Sequence, residues 1–144
     1  MLEITSIILA AGEGKRLRSS QPKTLHPVCG LPMIEYPIAA ARAIGSKQVV
    51  VVVPPDKKHS LVQYLKGHAK LALIPQSKPL GTGHAVLSAV AKLKTNGGKI
   101  LILNGDTPLI TSETLRLFLQ KIGEENPKVG LITAKMKDPS GLGR

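Results

Sequence analysis

The sequence predicts an α/β protein, a doubly wound and mainly parallel sheet with helices on both faces. Three observations carry the prediction. Short apolar runs rich in β-branched residues alternate with stretches whose apolar residues recur near a period of about 3.6. None of the runs alternates polar with apolar, which is how strands covered on both faces read. Glycine, proline and asparagine punctuate the junctions and mark turns.

In chain order, residues 4–11 (ITSIILAA) read as a buried strand. Residues 12–32 then form a long loop holding Pro22, Pro27, Gly30 and Pro32; its many cations favour a functional over a merely irregular segment. Residues 33–45 read as a helix: Ile34, Ile38, Ala41 and Ile44 share a face, Pro37 belongs in its first turn, and Gly45 is its stop. Residues 48–53 (QVVVVV) make a β-branched strand ended by Pro54-Pro55. Asp56 is the expected cap of the next helix, where Leu61, Tyr64 and Leu65 share a face and Gly67 ends the run.

Leu71 to Ile74 form a short third strand, followed by the glycine-rich turn Pro75 to Ala85. Val86, Ala89, Val90 and Leu93 then mark a helix, closed by a turn at Asn96-Gly97-Gly98. Lys99 to Leu103 form a fourth strand running into Asn104-Gly105-Asp106. Thr111 caps a helix with Glu113 in its first turn and Leu115, Phe118, Leu119 and Ile122 on one face. Val129 to Ala134 reads as a fifth strand, and residues 140–144 as a final glycine-containing loop.

The composition bounds the function. At 144 residues with 42% hydrophobic and 20% charged residues, the chain has globular composition and room for a core. Aromatics are only 2%, which leaves almost nothing for the base-stacking platforms of single-strand binders. The net charge of +11 favours anionic partners, yet the lysines outside the first glycine loop are scattered and form no nucleic-acid stripe. The single cysteine, Cys29, has no internal partner, fits a reducing cytoplasm, and reads as a small buried packing residue. No run approaches the ~20 apolar residues of a membrane span, and no signal-peptide pattern opens the chain.

The chemistry concentrates at strand ends. In Leu9-Ala10-Ala11-Gly12-Glu13-Gly14-Lys15-Arg16-Leu17, the glycines let backbone N–H groups approach an anion, with φ > 0 expected at Gly12 and Gly14. Lys15, Arg16, Arg18 and Lys23 supply cations suited to a triphosphate. The dinucleotide fingerprint is excluded by Leu17 where a third glycine belongs, and a P-loop by spacing. Asp106 is the one carboxylate at a strand end, and with phosphates it suits Mg²⁺; an Asx turn before Pro108 is the bland alternative. Gly105 leaves room for a ligand beside it. Gln76 offers a donor and an acceptor to a base edge, or simply faces solvent. Gly81 and Thr82 open a helix whose N–H groups are free, though Thr82 can merely cap. His26 and His84 read as structural residues with no metal or carboxylate partner in view. In a parallel sheet these strand ends converge on one edge, where ligands of open α/β sheets bind.

The sequence offers no triad, no paired carboxylates and no activated cysteine. Nucleotidyl transfer to an acceptor that is already an anion needs none of these; positioning, a metal and cations suffice.

Taken together, LAAGEGKRL with Pro22-Lys23, Gln76, Leu80-Gly81-Thr82-Gly83-His84-Ala85, Gly105-Asp106-Thr107-Pro108-Leu109-Ile110 and Asp138 to Arg144 resemble the sugar-phosphate nucleotidyltransferases, most of all their N-acetylglucosamine-1-phosphate uridylyltransferase branch. The resemblance runs in order through essentially the whole chain. It implies a Rossmann-like nucleotidyltransferase fold, UTP and a sugar 1-phosphate as substrates, Mg²⁺ as cofactor, and a cytoplasmic location. It further implies a nucleotide-binding turn of Leu9, Ala10, Gly12 and Gly14, and a uracil-reading set of Gln76, Gly81 and Thr82. Arg16 would act on the leaving pyrophosphate, Lys23 at the reaction centre, Asp106 on the metal, and Gly105 and Gly141 on the substrate. Lys15 and Asn104 depart from the residues common in the family, threonine and an aromatic. Family members also continue further, and some add a β-helix acetyltransferase. Residues 1–144 therefore read as a single nucleotide-binding part of a transferase domain, truncated at its C-terminus, expected to bind nucleotide but turn over poorly and with a strand edge open to self-association. A cytidylyl- or guanylyltransferase, and a non-enzymatic basic nucleic-acid-binding module, are the alternatives.

Overall fold

The computed structural model describes residues 3–12, 14, 17–93, 98–138 and 140. Strand β1 (Ile4–Leu9) is the hub. It pairs in parallel with β4 (Gln48–Val53) on one side and β6 (Lys99–Asn104) on the other, and β5 (Leu71–Pro75) adds outside β4, giving the order β5-β4-β1-β6. The chain thus winds outward from β1 through β4 to β5, then returns across β1 to start the other half. That reversal is the doubly wound topology the apolar runs predict, and it opens a crevice beyond the strand ends.

Side-chain alternation divides the core in two. Ile4 and Ile8 of β1, Val49, Val51 and Val53 of β4, and Leu101 and Leu103 of β6 face α1 (Glu35–Ala43), α2 (Ser60–Lys66) and α4 (Ser112–Glu125). Ile7, Val50, Val52 and Ile74 face α3 (Thr82–Val90) through Ala85 and Ala89. All five valines of β4 are buried, as a run covered on both faces must be. The edge strand β6 differs. Leu101 and Leu103 are buried, while Ile100 and Ile102, on the α3 side, are 40% and 48% exposed, because α3 lies over the other three strands and stops short of β6.

Local chemistry sets the helix ends. Pro37 lies in the first turn of α1, where its missing N–H costs nothing. Gly45, at φ +76°, closes α1 in a Schellman motif, with Gly45 N donating to Arg42 O and Ser46 N to Ala41 O. Thr111 caps α4 by accepting from Thr114 N at 3.1 Å. Asn126 ends it in the left-handed region and accepts from Lys99 Nζ at 2.8 Å, tying the helix end to the start of β6.

Several expectations change. The cap of α2 is His59, whose Nδ1 accepts from Leu61 N; Asp56 instead holds its own turn by accepting from Lys58 N. The loop 12–32 contains a 3-10 turn at Lys23–Leu25 and a short antiparallel ladder of β2 (Pro27–Val28) with β3 (Leu31–Pro32). Cys29 and Gly30, both at positive φ, make the two-residue turn between them, so Cys29 is exposed and not a packing residue. Val129 to Ala134 form no strand; Val129 and Leu131 are more than 80% exposed. There the backbone of Gly130 lies against Ile122 and Phe118 of α4, where a Cβ would clash, so the segment packs on a helix and pairs with no strand. Residues 96–97 of the expected turn fall outside the described residues, as does nearly all of the final glycine loop.

Candidate active site

The parallel sheet brings its strand ends to one edge, and the backbone just beyond them stays tied to neighbouring strands. Ala10 N donates to Val52 O, Gln76 N to Val53 O and Gly105 N to Leu9 O, at 2.8–2.9 Å. The turns after β1, β5 and β6 are therefore held as extensions of the sheet, which is why their side chains can be placed accurately from rigid elements. Between them opens a cleft of about 750 Å³.

The sheet edge assembles most of the residues predicted from sequence. Leu9, Ala10, Gly12 and Gly14 line one wall, Gln76, Gly81 and Thr82 another, and Lys23 and Asp106 the centre. Arg16 and Gly141, together with Lys15, lie outside the described residues. Gly105 does not line the cleft. A Cβ on it would stand 2.9 Å from Leu9 O, 3.0 Å from Ile34 Cδ1 and 3.1 Å from Ala10 Cβ. Glycine is needed there for the close approach of β6 to the β1 turn. The two glycines of the first loop also divide their work. Gly14 has φ +60° and sits against Lys23 Cβ, whereas Gly12 is not left-handed, lines the cleft, and a Cβ on it would meet no atom of the described residues within 4 Å.

The centre of the cleft is an ion pair. Lys23 Nζ donates to Asp106 Oδ2 at 2.6 Å, with the two side chains 41% and 37% exposed. The 3-10 turn that presents Lys23 is anchored by buried Thr24 and Leu25 and by Gln21 Nε2 donating to Leu25 O. His26 serves the same loop, its ring nitrogen lying 3.3 Å from Gln21 O, as a structural histidine does. Asp106 already faces one cation, so its carboxylate suits another. Among the described residues no group of three His, Cys, Asp or Glu comes together, so a divalent ion here would complete its shell with phosphate oxygens and water, as Mg²⁺ commonly does.

The opposite wall is the start of α3. Gly81, at φ +92° and ψ −179°, takes a conformation open essentially to glycine alone, and among the described residues no side chain caps the helix. Its first N–H groups are left for a ligand. Gln76 is only 6% exposed, not solvent-facing, and its Nε2 donates to Gly81 O and to His84 Nδ1, both at 3.1 Å. Sequence reasoning missed this tie of His84 to Gln76. It also missed Thr24, Ala85 and Asn104 as lining residues, although Asn104 ends a strand beside Asp106 and could have been found by that signal.

This fold, with its cleft at the carboxyl edge of the sheet, is that of the nucleotidyltransferases. A nucleotidyl transferase from Methanothermobacter superposes with a TM-score of 0.66 at 25% identity, covering 82% of this chain and 57% of that one. A Mycobacterium tuberculosis protein solved in complex with manganese superposes at 0.67, with 21% identity over 85% of this chain and 60% of its own. Over residues 6–139 the chain matches the MobA-like NTP transferase domain, and it belongs to that family. It is also similar to the bifunctional protein GlmU of Thermoanaerobacter pseudethanolicus, 45% identical over 98% of this chain, and to that of Geobacter metallireducens, 40% identical over 100% of this chain. The chain spans about 30% of the length of these curated relatives. Among the described residues no helix is long and apolar enough to cross a membrane.

Proposed function

We propose that this nucleotidyltransferase chain is the nucleotide-binding part of a domain that transfers uridylyl from UTP to N-acetylglucosamine 1-phosphate, giving UDP-N-acetylglucosamine and pyrophosphate in the cytoplasm. The observation that carries the reading is the assembly, around one cleft, of the glycine turn after β1, the Lys23–Asp106 pair and the Gln76–Gly81 wall. The similarity to GlmU proteins supports the choice of base and sugar.

The roles follow from what each group can do. The turn Leu9 to Gly12 presents backbone to the triphosphate, and Gly12 keeps that wall clear of a side chain. Asp106 would hold Mg²⁺, which when bound supplies charge neutralisation on the phosphates. Lys23, released from Asp106, turns its ammonium to the α-phosphate and stabilises charge there as the bond changes. The resemblance assigns Arg16 to the leaving pyrophosphate. The sugar 1-phosphate oxygen is already an anion, so it attacks the α-phosphorus in line with pyrophosphate departure, with no general base. Gln76 accepts from the N3–H of uracil through Oε1, and the start of α3 donates to ring carbonyls. The substrate contact proposed for Gly141 lies outside the described residues.

The test is product formation. The chain is incubated with Mg²⁺, N-acetylglucosamine 1-phosphate and UTP, CTP or GTP in turn, and nucleotide sugars are detected by mass spectrometry. The reading predicts UDP-N-acetylglucosamine from UTP, even at a low rate. A nucleotide sugar formed from CTP or GTP, and not from UTP, would overturn it.

A further inference from the structure

The side chain of Gln76 has two N–H donors and one acceptor oxygen. Both donors are spent inside the protein. One goes to the carbonyl of Gly81, the other to Nδ1 of His84, each at 3.1 Å. The backbone of Gln76 is fixed by its own N–H on Val53 O, and the residue is 6% exposed, so the amide has little freedom to turn. A carbonyl cannot donate, so the Gly81 contact requires the NH₂ end of the amide on that side. His84 then takes the second proton, accepting at Nδ1 and carrying its own ring proton at Nε2. Among the described residues no hydrogen bond engages Oε1, the one group Gln76 keeps for the cleft it lines.

We propose that His84 is a specificity-determining positioning residue: by occupying the second amide proton of Gln76 it leaves the cleft an acceptor and no donor at that position. This rests on the uridylyl reading of the cleft and deepens it. A pyrimidine ring with N–H at position 3 pairs with Oε1. A ring with a bare nitrogen there, as in cytosine, meets oxygen against nitrogen lone pair and finds no N–H to satisfy it. His84 sits in the first turn of α3, and Gly81, whose carbonyl takes the other proton, is the residue before that helix. The device is therefore built from a single turn, and it acts through Gln76 without His84 touching the base. With the His84 acceptor removed, only the Gly81 contact still holds the amide, so the side chain can turn and offer an N–H to cytosine. Loss of His84 should thus weaken UTP and improve CTP together, a paired change that mere loosening of α3 would not produce.

Equilibrium dialysis of the 144-residue chain with radiolabelled UTP and CTP, in Mg²⁺, tests this. The wild type is expected to prefer UTP. In His84→Leu the ratio of affinities should fall by roughly tenfold, with CTP binding tighter than in the wild type. His84→Asn places an acceptor oxygen near the position of Nδ1 and should keep the wild-type ratio to within about twofold, whereas His84→Gln, which reaches toward the position of Nε2, should lose it. The Asn and Gln pair decides the matter if the leucine variant does not fold. An unchanged ratio in His84→Leu or His84→Gln, or an equal loss of both nucleotides in all three variants, would overturn the role of His84 while leaving the uridylyl reading intact. No preference for UTP in the wild type would instead overturn the uridylyl reading, and this inference with it.

Discussion

Adding one methyl group at Gly105 should damage the protein in a way that the same change at Gly12 does not. In Gly105→Ala the new Cβ would lie 2.9 Å from Leu9 O, 3.0 Å from Ile34 Cδ1 and 3.1 Å from Ala10 Cβ. The first neighbour is backbone and cannot swing aside, because Leu9 O also accepts from Gly105 N at 2.8 Å. Relief requires β6 and the β1 turn to separate by a few tenths of an ångström, at the point where both enter the cleft. Overpacking of this kind costs about 1–3 kcal/mol. Against a total stability of about 5–15 kcal/mol this is readily measured in urea. Gly12→Ala meets nothing within 4 Å among the described residues and has no left-handed φ to violate, so its stability should stay within about 0.5 kcal/mol of wild type or rise slightly. Because Gly12 lines the cleft, the added methyl should weaken nucleotide binding. Urea denaturation of both variants, with nucleotide affinity measured alongside, checks the pair. A Gly105→Ala protein as stable as wild type would refute the argument that close packing demands this glycine.

Other consequences are as direct. Gly81→Ala must hold a side chain at φ +92°, and should lose about 1–3 kcal/mol in chemical denaturation along with part of any discrimination between bases. Lys23→Met removes an ion pair whose partners are 41% and 37% exposed, so stability should change by no more than about 1 kcal/mol, while the rate of nucleotidyl transfer falls by about 100-fold or more; denaturation and initial rates separate the two effects. Away from the cleft, burial first and then the hydrogen bond to Glu35 push the Tyr64 hydroxyl up to about 12. A raised pKa favours the protonated, folded form, so this contribution to stability is whole below pH 10 and is lost as pH rises from about 10 through about 12. A phenolate absorbance titration should show that late step in the wild type and not in Tyr64→Phe; ionisation of Tyr64 near 10 would contradict it.

Much of this architecture was legible in the chain because it depends on local pattern. Val49 to Val53 is apolar at every position and can only be a strand covered on both faces, and Thr111 and Gly45 mark helix ends through chemistry that acts within a few residues. The site was legible for a related reason: apolar runs that stop at Gly12, Gln76 and Asp106 place polar groups at strand ends, and parallel topology collects those ends on one edge. What was not legible depends on long-range partners. Val129 to Ala134 has strand propensity, but propensity cannot supply a neighbour, and Gly130 instead packs on α4. The packing demand at Gly105 was not legible because the atoms that crowd it come from Leu9, Ala10 and Ile34, far away in sequence. Cys29 was expected to be buried because small thiols usually are, and nothing local revealed that a two-residue turn would lift it into solvent. His84 lacked a visible role because its partner is an amide eight residues earlier, reached only once the turn between them folds back.

The central claim is that the cleft takes UTP with a divalent ion on Asp106. Calorimetric titration of the chain with UTP, CTP and ATP, each with and without Mg²⁺, tests it most directly, with Gln76→Ala and Asp106→Asn in parallel. The account predicts a preference for UTP that is lost in Gln76→Ala, and a Mg²⁺ enhancement that is lost in Asp106→Asn. Equal, weak and salt-sensitive binding of all three nucleotides, unchanged in either variant, would mean that the +11 charge alone attracts them and would contradict the account.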